Sequence, residues 1–315
     1  MKMVAGMGQV DEYIPYSEAG ADEVFIGYVP DFWNKKYGMN RPLNRREVMY
    51  CNVQVGSKSE LIILENMARI YKVRVVVALN ALHFEPEQYE DVLKVIDDCK
   101  SVGIDSFIIA DYDFMAFINE KGVKDIRIHV SGELGQMNHL VVKRLYKLGA
   151  NRIIFHRKVT PEDMKLITDW CRNEGMKLEF EAFALNEKCH FTGAYCNSLH
   201  CDELAHICHL PYRFENGADE TEATGTACNQ VEIDESIPGG SGCGLCALWK
   251  LRDAGITHLK LVSRGNYMEN TIEDIALLKK ALEILEDSSG EEEYKKIIKS
   301  NLFDEKCSGN CYYFY

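Results

Sequence analysis

The sequence predicts an α/β chain folded as a (β/α)8 TIM-like barrel with a Cys-rich insertion between strands 7 and 8. Three observations carry this. Eight short apolar runs rich in Val, Ile and Phe alternate with amphipathic stretches of helical length, the pattern of parallel strands buried on both faces. Four segments, AGADEVFIG (19–27), VGIDSFIIA (102–110), LGANRIIFH (148–156) and AGITHLKLV (254–262), repeat one helix-to-strand corner. In each, a Gly ends the helix where φ > 0 is needed and a strand follows within a few residues. Roughly 70 residues then separate the seventh run from the eighth, where a barrel loop needs only a few. A doubly wound open sheet is the rival arrangement.

Strand one is expected near 2–5, with a helix over 13–19. Strand two covers 23–28, followed by a long polar segment and a helix near 60–70. Strand three is VRVVVAL (73–79). Its helix, 87–102, sets Val92, Val95 and Ile96 on one face at 3.6-residue spacing. Strand four is SFIIAD (106–111), followed by a short helix. Strand five is DIRIHV (125–130), followed by 139–148. Strand six is RIIFH (152–156), followed by 161–174, where Pro161 stands at a helix start that does not need its missing N–H. Strand seven is KLEFEAFAL (177–185), and strand eight HLKLVS (258–263) precedes a helix over 271–285. The chain therefore divides into 1–185 (strands 1–7), the insertion 186–254, 255–290 (strand 8 and the last helix) and a Cys-containing tail, 291–315.

Of 315 residues, 46% are hydrophobic and 27% charged, which excludes a disordered chain; 7 Pro exclude a Pro-rich one. No apolar run approaches the ~18 residues of a membrane span. The opening MKMVAGMGQVDEY lacks the apolar core of a signal peptide. A cytoplasmic location without membrane association is expected. The net charge of −13 opposes nonspecific nucleic-acid binding, which relies on Lys and Arg at phosphates.

Of 12 cysteines, seven lie in the insertion: Cys189, Cys196, Cys201, Cys208, Cys228, Cys243 and Cys246. In a reducing compartment such a cluster points to a metal centre rather than disulfides. Four thiolates hold either Zn2+ or a [4Fe–4S] cluster, and spacing alone does not separate these. A zinc ribbon uses two C-x-x-C knuckles. The insertion has one, Cys243–Cys246, and its wider spacings favour iron–sulfur. Cys99 and Cys171 occupy apolar helix positions and read as buried thiols. Cys307 and Cys311, beside Tyr312, Tyr313, Phe314 and Tyr315, either return to the barrel mouth to cover or ligate the centre, or fray. His190, His200, His206 and His209 share the insertion, and His190 and His209 read as flanking residues of cysteine ligands. Asn80, Asp111, His129, Ser131, His156, Glu181 and Arg264 fall at or near strand ends, where barrel enzymes keep their chemistry. Together they describe a polar pocket of mixed charge.

At this point the chain resembles the peptidase U32 family. The likeness is carried by Gly20-Ala-Asp-Glu-Val-Phe-Ile-Gly27, by VVVALN ending at Asn80 and by FIIAD ending at Asp111. It continues in Glu181, Phe183 and Cys189, in Cys196 after six intervening residues, in Cys208-His-Leu-Pro-Tyr212, and in Leu259-Lys-Leu-Val-Ser-Arg264. Departures mark a divergent branch. Leu185-Asn186 stand where the family has His-Gly, Ala194-Tyr195 where it has Gly-Arg, and Ser131-Gly-Glu where it has Ser-Thr-Gln. The acidic residue before the last Gly-Arg is replaced in Ser263-Arg264-Gly265.

The resemblance implies a [4Fe–4S] cluster held by Cys189, Cys196, Cys208 and Cys246, with Cys201, Cys228 and Cys243 in reserve and Zn2+ as the alternative metal. It implies an oxygen-independent hydroxylation-type enzyme, acting on a small polar or anionic substrate or modifying a macromolecule. Glu181, Arg264, His129 and Asp111 are the candidate catalytic residues. The alternatives are a U32 peptidase or hydrolase at the same mouth, and a non-catalytic cluster-bearing subunit with a partner. The sequence shows no Gly-x-Ser-x-Gly elbow or His-Glu-x-x-His helix.

Overall fold

Val75, Val76 and Val77 are all buried within one strand, as β-branched residues in a sheet covered on both faces should be. That strand is β3 (Arg74–Leu79) of a closed, wholly parallel barrel. The computed structural model describes residues 1–38, 41–46, 53–135, 137–189, 239–303 and 307–313. The other strands are β1 (Lys2–Gly6), β2 (Glu23–Gly27), β4 (Ser106–Ile109), β5 (Arg127–Val130), β6 (Ala150–Ile154), β7 (Glu179–Leu185) and β8 (His258–Leu261). They pair in chain order, and β8 closes on β1 through Lys2↔His258 and Val4↔Lys260. Closure excludes the open-sheet rival.

Outside the barrel lie α1 (Tyr13–Ala19), α2 (Asp31–Tyr37), α3 (Lys58–Tyr71), α4 (Tyr89–Val102), α5 (Tyr112–Glu120), α6 (His139–Lys147), α7 (Pro161–Asn173), α8 (Leu248–Asp253), α9 (Met268–Asp287) and α10 (Glu291–Leu302). Local chemistry sets their starts. Ser57 and Glu60 form a capping box on α3, and Thr160 caps α7 with Pro161 in its first turn. The repeated corner is real: Gly20, Gly103, Gly149 and Gly255 all have positive φ, at 120°, 110°, 92° and 75°. Among the described residues, no helix is long and apolar enough to cross a membrane.

Strand edges move by a few residues from the sequence reading. Strand five starts at Arg127, because Asp125 adopts a left-handed φ of 59° and ends the incoming turn. Strand six runs 150–154, although Phe155 still donates to the Glu181 carbonyl at 2.8 Å. The tail is more ordered than a tail suggests. After α10, residues 307–313 return to the barrel, and Tyr312 and Tyr313 are buried there. Of the insertion, 190–238 lie outside the described residues, and with them Cys196, Cys201, Cys208, Cys228 and all four of its histidines.

Candidate functional site at the C-terminal mouth of the barrel

Alternate residues of each strand point into the barrel. The register therefore puts Glu23 and Phe25, His129, Arg152, Glu179, Glu181 and Phe183, and His258 and Lys260 on the inner face. Much of this interior is charged. Arg152, fully buried, holds both oxygens of Glu23 at 2.7 and 2.9 Å, Glu181 at 3.0 Å and Glu179 at 2.9 Å. Its Nη2 is also 2.8 Å from His258 Nε2. Higher in the barrel, Lys260 Nζ bonds the other Glu181 oxygen at 3.0 Å and lies 3.7 Å over the Phe25 ring. Arg127 donates to Glu179 at 3.0 Å. Three carboxylates (23, 179, 181) thus meet three cations (127, 152, 260), so the buried charge is balanced.

Pairing decides the ionisation. Burial works to raise the Glu181 carboxyl pKa, but Lys260 and Arg152 outweigh it and hold it below its ordinary value. Burial lowers the Lys260 ammonium, and Glu181 offsets part of that. His129 is driven well below the usual imidazole range, first by burial and then by Arg152, so it is neutral.

Above this network opens a cavity lined by five cations, Arg45, Arg46, Arg157, Lys260 and Arg264, and two carboxylates, Glu133 and Glu187. Its floor includes Phe25, Ile108, Ile154 and Phe183, and Asn80 and Ser131 add polar groups. Arg157 stacks 3.9 Å over the Phe183 ring and bonds Glu133 at 3.0 Å; Arg46 pairs with Glu187. Burial opposes the Arg157 charge. Glu133, with Tyr312, Cys189 and Glu187 nearby, overcomes this and strengthens it. Arg264 packs on Gly27, where a Cβ would lie 2.8 Å from Nη1, so a side chain there would collide with the guanidinium. With Lys260 balanced by Glu181, four arginines face two carboxylates, which makes the mouth a place for anionic oxygens that the planar fork of Arg bonds in pairs.

The four candidate catalytic residues separate. Arg264 lines the cavity, and Glu181 reaches it only through Lys260. His129 lies one layer below Ser131 on the same strand face. Asp111 caps α5: one oxygen accepts from Phe114 N–H at 2.9 Å and the other from Phe84 N–H at 2.6 Å. Asp111→Ala is therefore expected to lower stability by about 1–2 kcal/mol, as cap losses do. It should leave anion binding at the mouth within about twofold. Chemical denaturation and a binding titration check both.

Cys189, half-buried, lies within electrostatic reach of Arg157, which lines the cavity. Cys246 lies in the 3-10 turn Leu245–Ala247 just before α8, grouped with Cys243, Cys307 and Cys311. Among the described residues, no three His, Cys, Asp or Glu side chains stand at metal-holding distance. Sequence reading missed Arg152, Lys260, Arg157, Arg45 and Arg46 as site residues. The signal for Lys260 was strand parity, because it shares a face with Val262 and lies between two apolar neighbours.

A protein-family model described as peptidase family U32 matches residues 8–314. An uncharacterized protease of Methanocaldococcus jannaschii, MJ0090, is 25% identical over 206 residues, which is 62% of this chain and 45% of that protein. The chain thus spans less than half the length of that curated relative. Among solved structures, the U32 peptidase Mk0906 aligns at a TM-score of 0.40 and 12% identity, over 58% of this chain and 68% of that one. Thiamine phosphate pyrophosphorylase from Pyrococcus furiosus aligns at 0.45 and 10%, over 90% and 96%.

Proposed function

Because the chain belongs to peptidase family U32, we propose that it binds a small carboxylate-bearing substrate at the barrel mouth and modifies it in an oxygen-independent redox reaction served by a [4Fe–4S] cluster. The observation that carries the substrate class is the convergence of Arg45, Arg46, Arg157 and Arg264 on one cavity against Glu133 and Glu187, with Lys260 balanced by Glu181 below. Apolar rings below and charged forks above suit a molecule with one apolar side and one anionic end.

The redox half rests on the thiols and on the resemblance. Cys189 lies within electrostatic reach of Arg157, which lines this cavity. The donor set fits a cluster, since soft thiolate sulfur is what iron–sulfur centres use. Cys189, Cys196 and Cys208 would hold it, with the fourth ligand drawn from the remaining cysteines of 186–254. When bound, the cluster supplies one-electron transfer. The chain's own residues do the rest. Arg157 and Arg264 grip and orient the carboxylate. Lys260, bonded to Glu181, places an N–H donor at the cavity floor. Neutral His129 lies below as a buried group whose Nε2 makes no hydrogen bond.

The test is anion binding to anaerobically purified protein, with small mono- and dicarboxylates and inorganic phosphate as probes, followed by calorimetry. Carboxylates should bind, and Arg264→Met and Arg157→Met should each weaken them by about 10- to 100-fold, the loss of a charged hydrogen-bond pair. Wild-type protein that binds no carboxylate, or variants that bind as wild type does, would sink the substrate class. Peptide hydrolysis at the same mouth is the second reading, favoured by the names of the relatives. Peptide cleavage that survives complete removal of iron would decide for it.

A further inference from the structure

The C-terminal tail meets the barrel at one defined place. Beyond β7, Asn186 and Lys188 donate to the carbonyls of Gly242 and Ser241 at 2.9 and 2.7 Å, and Leu185 bridges Cys243 in antiparallel sense. Residues 307–313 add a further edge. Cys243 bridges Cys311 in parallel sense, with Cys243 N–H donating to Asn310 O at 2.9 Å and Tyr312 N–H to Cys243 O at 2.8 Å. Side chains lock the register. Asn310 Nδ2 donates to Gly240 O at 3.0 Å, Tyr313 OH to Phe183 O at 2.9 Å and Tyr312 OH to Asn186 O.

This pairing brings together two short turns, Cys243-Gly-Leu-Cys246 and Cys307-Ser-Gly-Asn-Cys311. In each, the first sulfur accepts an N–H from the residue two positions on. Leu245 N–H bonds Cys243, and Gly309 N–H bonds Cys307 Sγ at 3.5 Å. A backbone N–H on the first sulfur of each turn fixes where that sulfur points. All six pairs among the four sulfurs lie within electrostatic reach of one another. Lys299 and Lys295 lie within reach of Cys246, and Lys188 and Lys299 within reach of Cys311.

We propose that Cys243, Cys246, Cys307 and Cys311 bind one Zn2+ as a closed four-thiolate site that fastens the C-terminal tail to the barrel. Four thiols give up four protons to solvent, and the ion with four thiolates carries two negative charges. The three lysines around the site offset that charge. Zn2+ suits it because it takes four sulfurs tetrahedrally at about 2.3 Å and has no redox requirement. Because no three such side chains stand at metal-holding distance, binding needs rotation of these cysteines about χ1 on a backbone already in register. The assignment takes Cys246 out of the iron–sulfur ligand set and leaves the fourth position there to Cys201 or Cys228. It does not depend on the cluster.

The experiment uses the full, untagged chain, purified anaerobically, with zinc, iron and sulfide measured together. Wild type should hold about one Zn2+ per chain. The double variant Cys307→Ser/Cys311→Ser should hold less than about a tenth of that while keeping its full iron. As a check that needs no variant to fold, chelator-stripped wild type titrated with Co2+ should show the intense tetrahedral-thiolate spectrum. Absence of zinc after reconstitution, or zinc retained by the double variant, overturns the proposal. So does loss of iron with zinc intact, which would place the tail on the cluster. A Cys243–Cys311 disulfide in reduced protein overturns it as well. If wild type holds zinc but neither iron nor sulfide, the proposal stands and the cluster assignment fails.

Discussion

Arg152→Met should destabilise the protein by about 3–5 kcal/mol, the usual cost of stranding a buried partner charge. Folded domains hold only about 5–15 kcal/mol in total, so the variant should be poorly folded or insoluble at 37 °C. The cause is geometric. The guanidinium is the common partner of Glu23, Glu179 and Glu181, and Glu23 and Glu181 are almost wholly buried. Without it, Lys260 and Arg127 face three carboxylates. Denaturant unfolding measures the loss, and a change under about 1 kcal/mol would contradict it. Glu23→Gln added to Arg152→Met should restore part of the stability, because it removes one stranded charge; a simple loss of side-chain volume would not be rescued this way.

The pH dependence carries a sign. Burial would raise the Glu23 carboxyl, but His258 and Arg152 overcome it and hold the group well below the ordinary value of 4.5. Glu179 and Glu181 are lowered for the same reason, with burial opposing and the cations prevailing. Below about pH 4.5 the unfolded chain therefore binds more protons than the folded one. The contribution is complete above that value and is lost as pH falls through the folded-state values. In Arg152→Met burial dominates instead. That variant should gain stability relative to wild type as pH falls towards 5.

The second large effect concerns iron. Cys189→Ala, Cys196→Ala and Cys208→Ala should each remove most of the bound iron from anaerobic protein, while Cys99→Ala and Cys171→Ala should leave it unchanged. The contrast follows from placement. Cys99 and Cys171 are wholly buried on α4 and α7. Burial alone pushes the Cys171 thiol up to about 11, and Cys99 is raised further, mainly by burial as well. Both pack inside the apolar core rather than at the barrel mouth. Cys189 follows β7 within electrostatic reach of Arg157, and Cys196 comes seven positions on. Iron and sulfide analysis with the visible spectrum reads the result. If all three variants keep full iron, or wild type holds neither iron nor sulfide, the cluster assignment fails.

Much of the fold was legible because its determinants are local. A run such as Val75–Leu79 states its burial in its own composition. The four glycine corners state their backbone geometry within a few residues, and Thr160-Pro161 states a helix start. Asp111 shows where such reading stops. A strand-end carboxylate looks alike whether it meets substrate or caps the next helix, and only its bonds to Phe84 and Phe114 separate the two.

By itself the sequence determined the eight strands, their helices, the family frame and the cysteine-rich character of the segment after β7. Tertiary structure alone decided which charges and thiols meet. Arg152 finds Glu23 across 129 residues, and Cys243 finds Cys311 only because α10 returns the tail to the end of β7. Periodicity and turn chemistry act between neighbours in the chain. Barrel closure and strand register set contacts between residues far apart, and at those contacts a buried Glu becomes an ion pair and two distant cysteine-bearing turns come together.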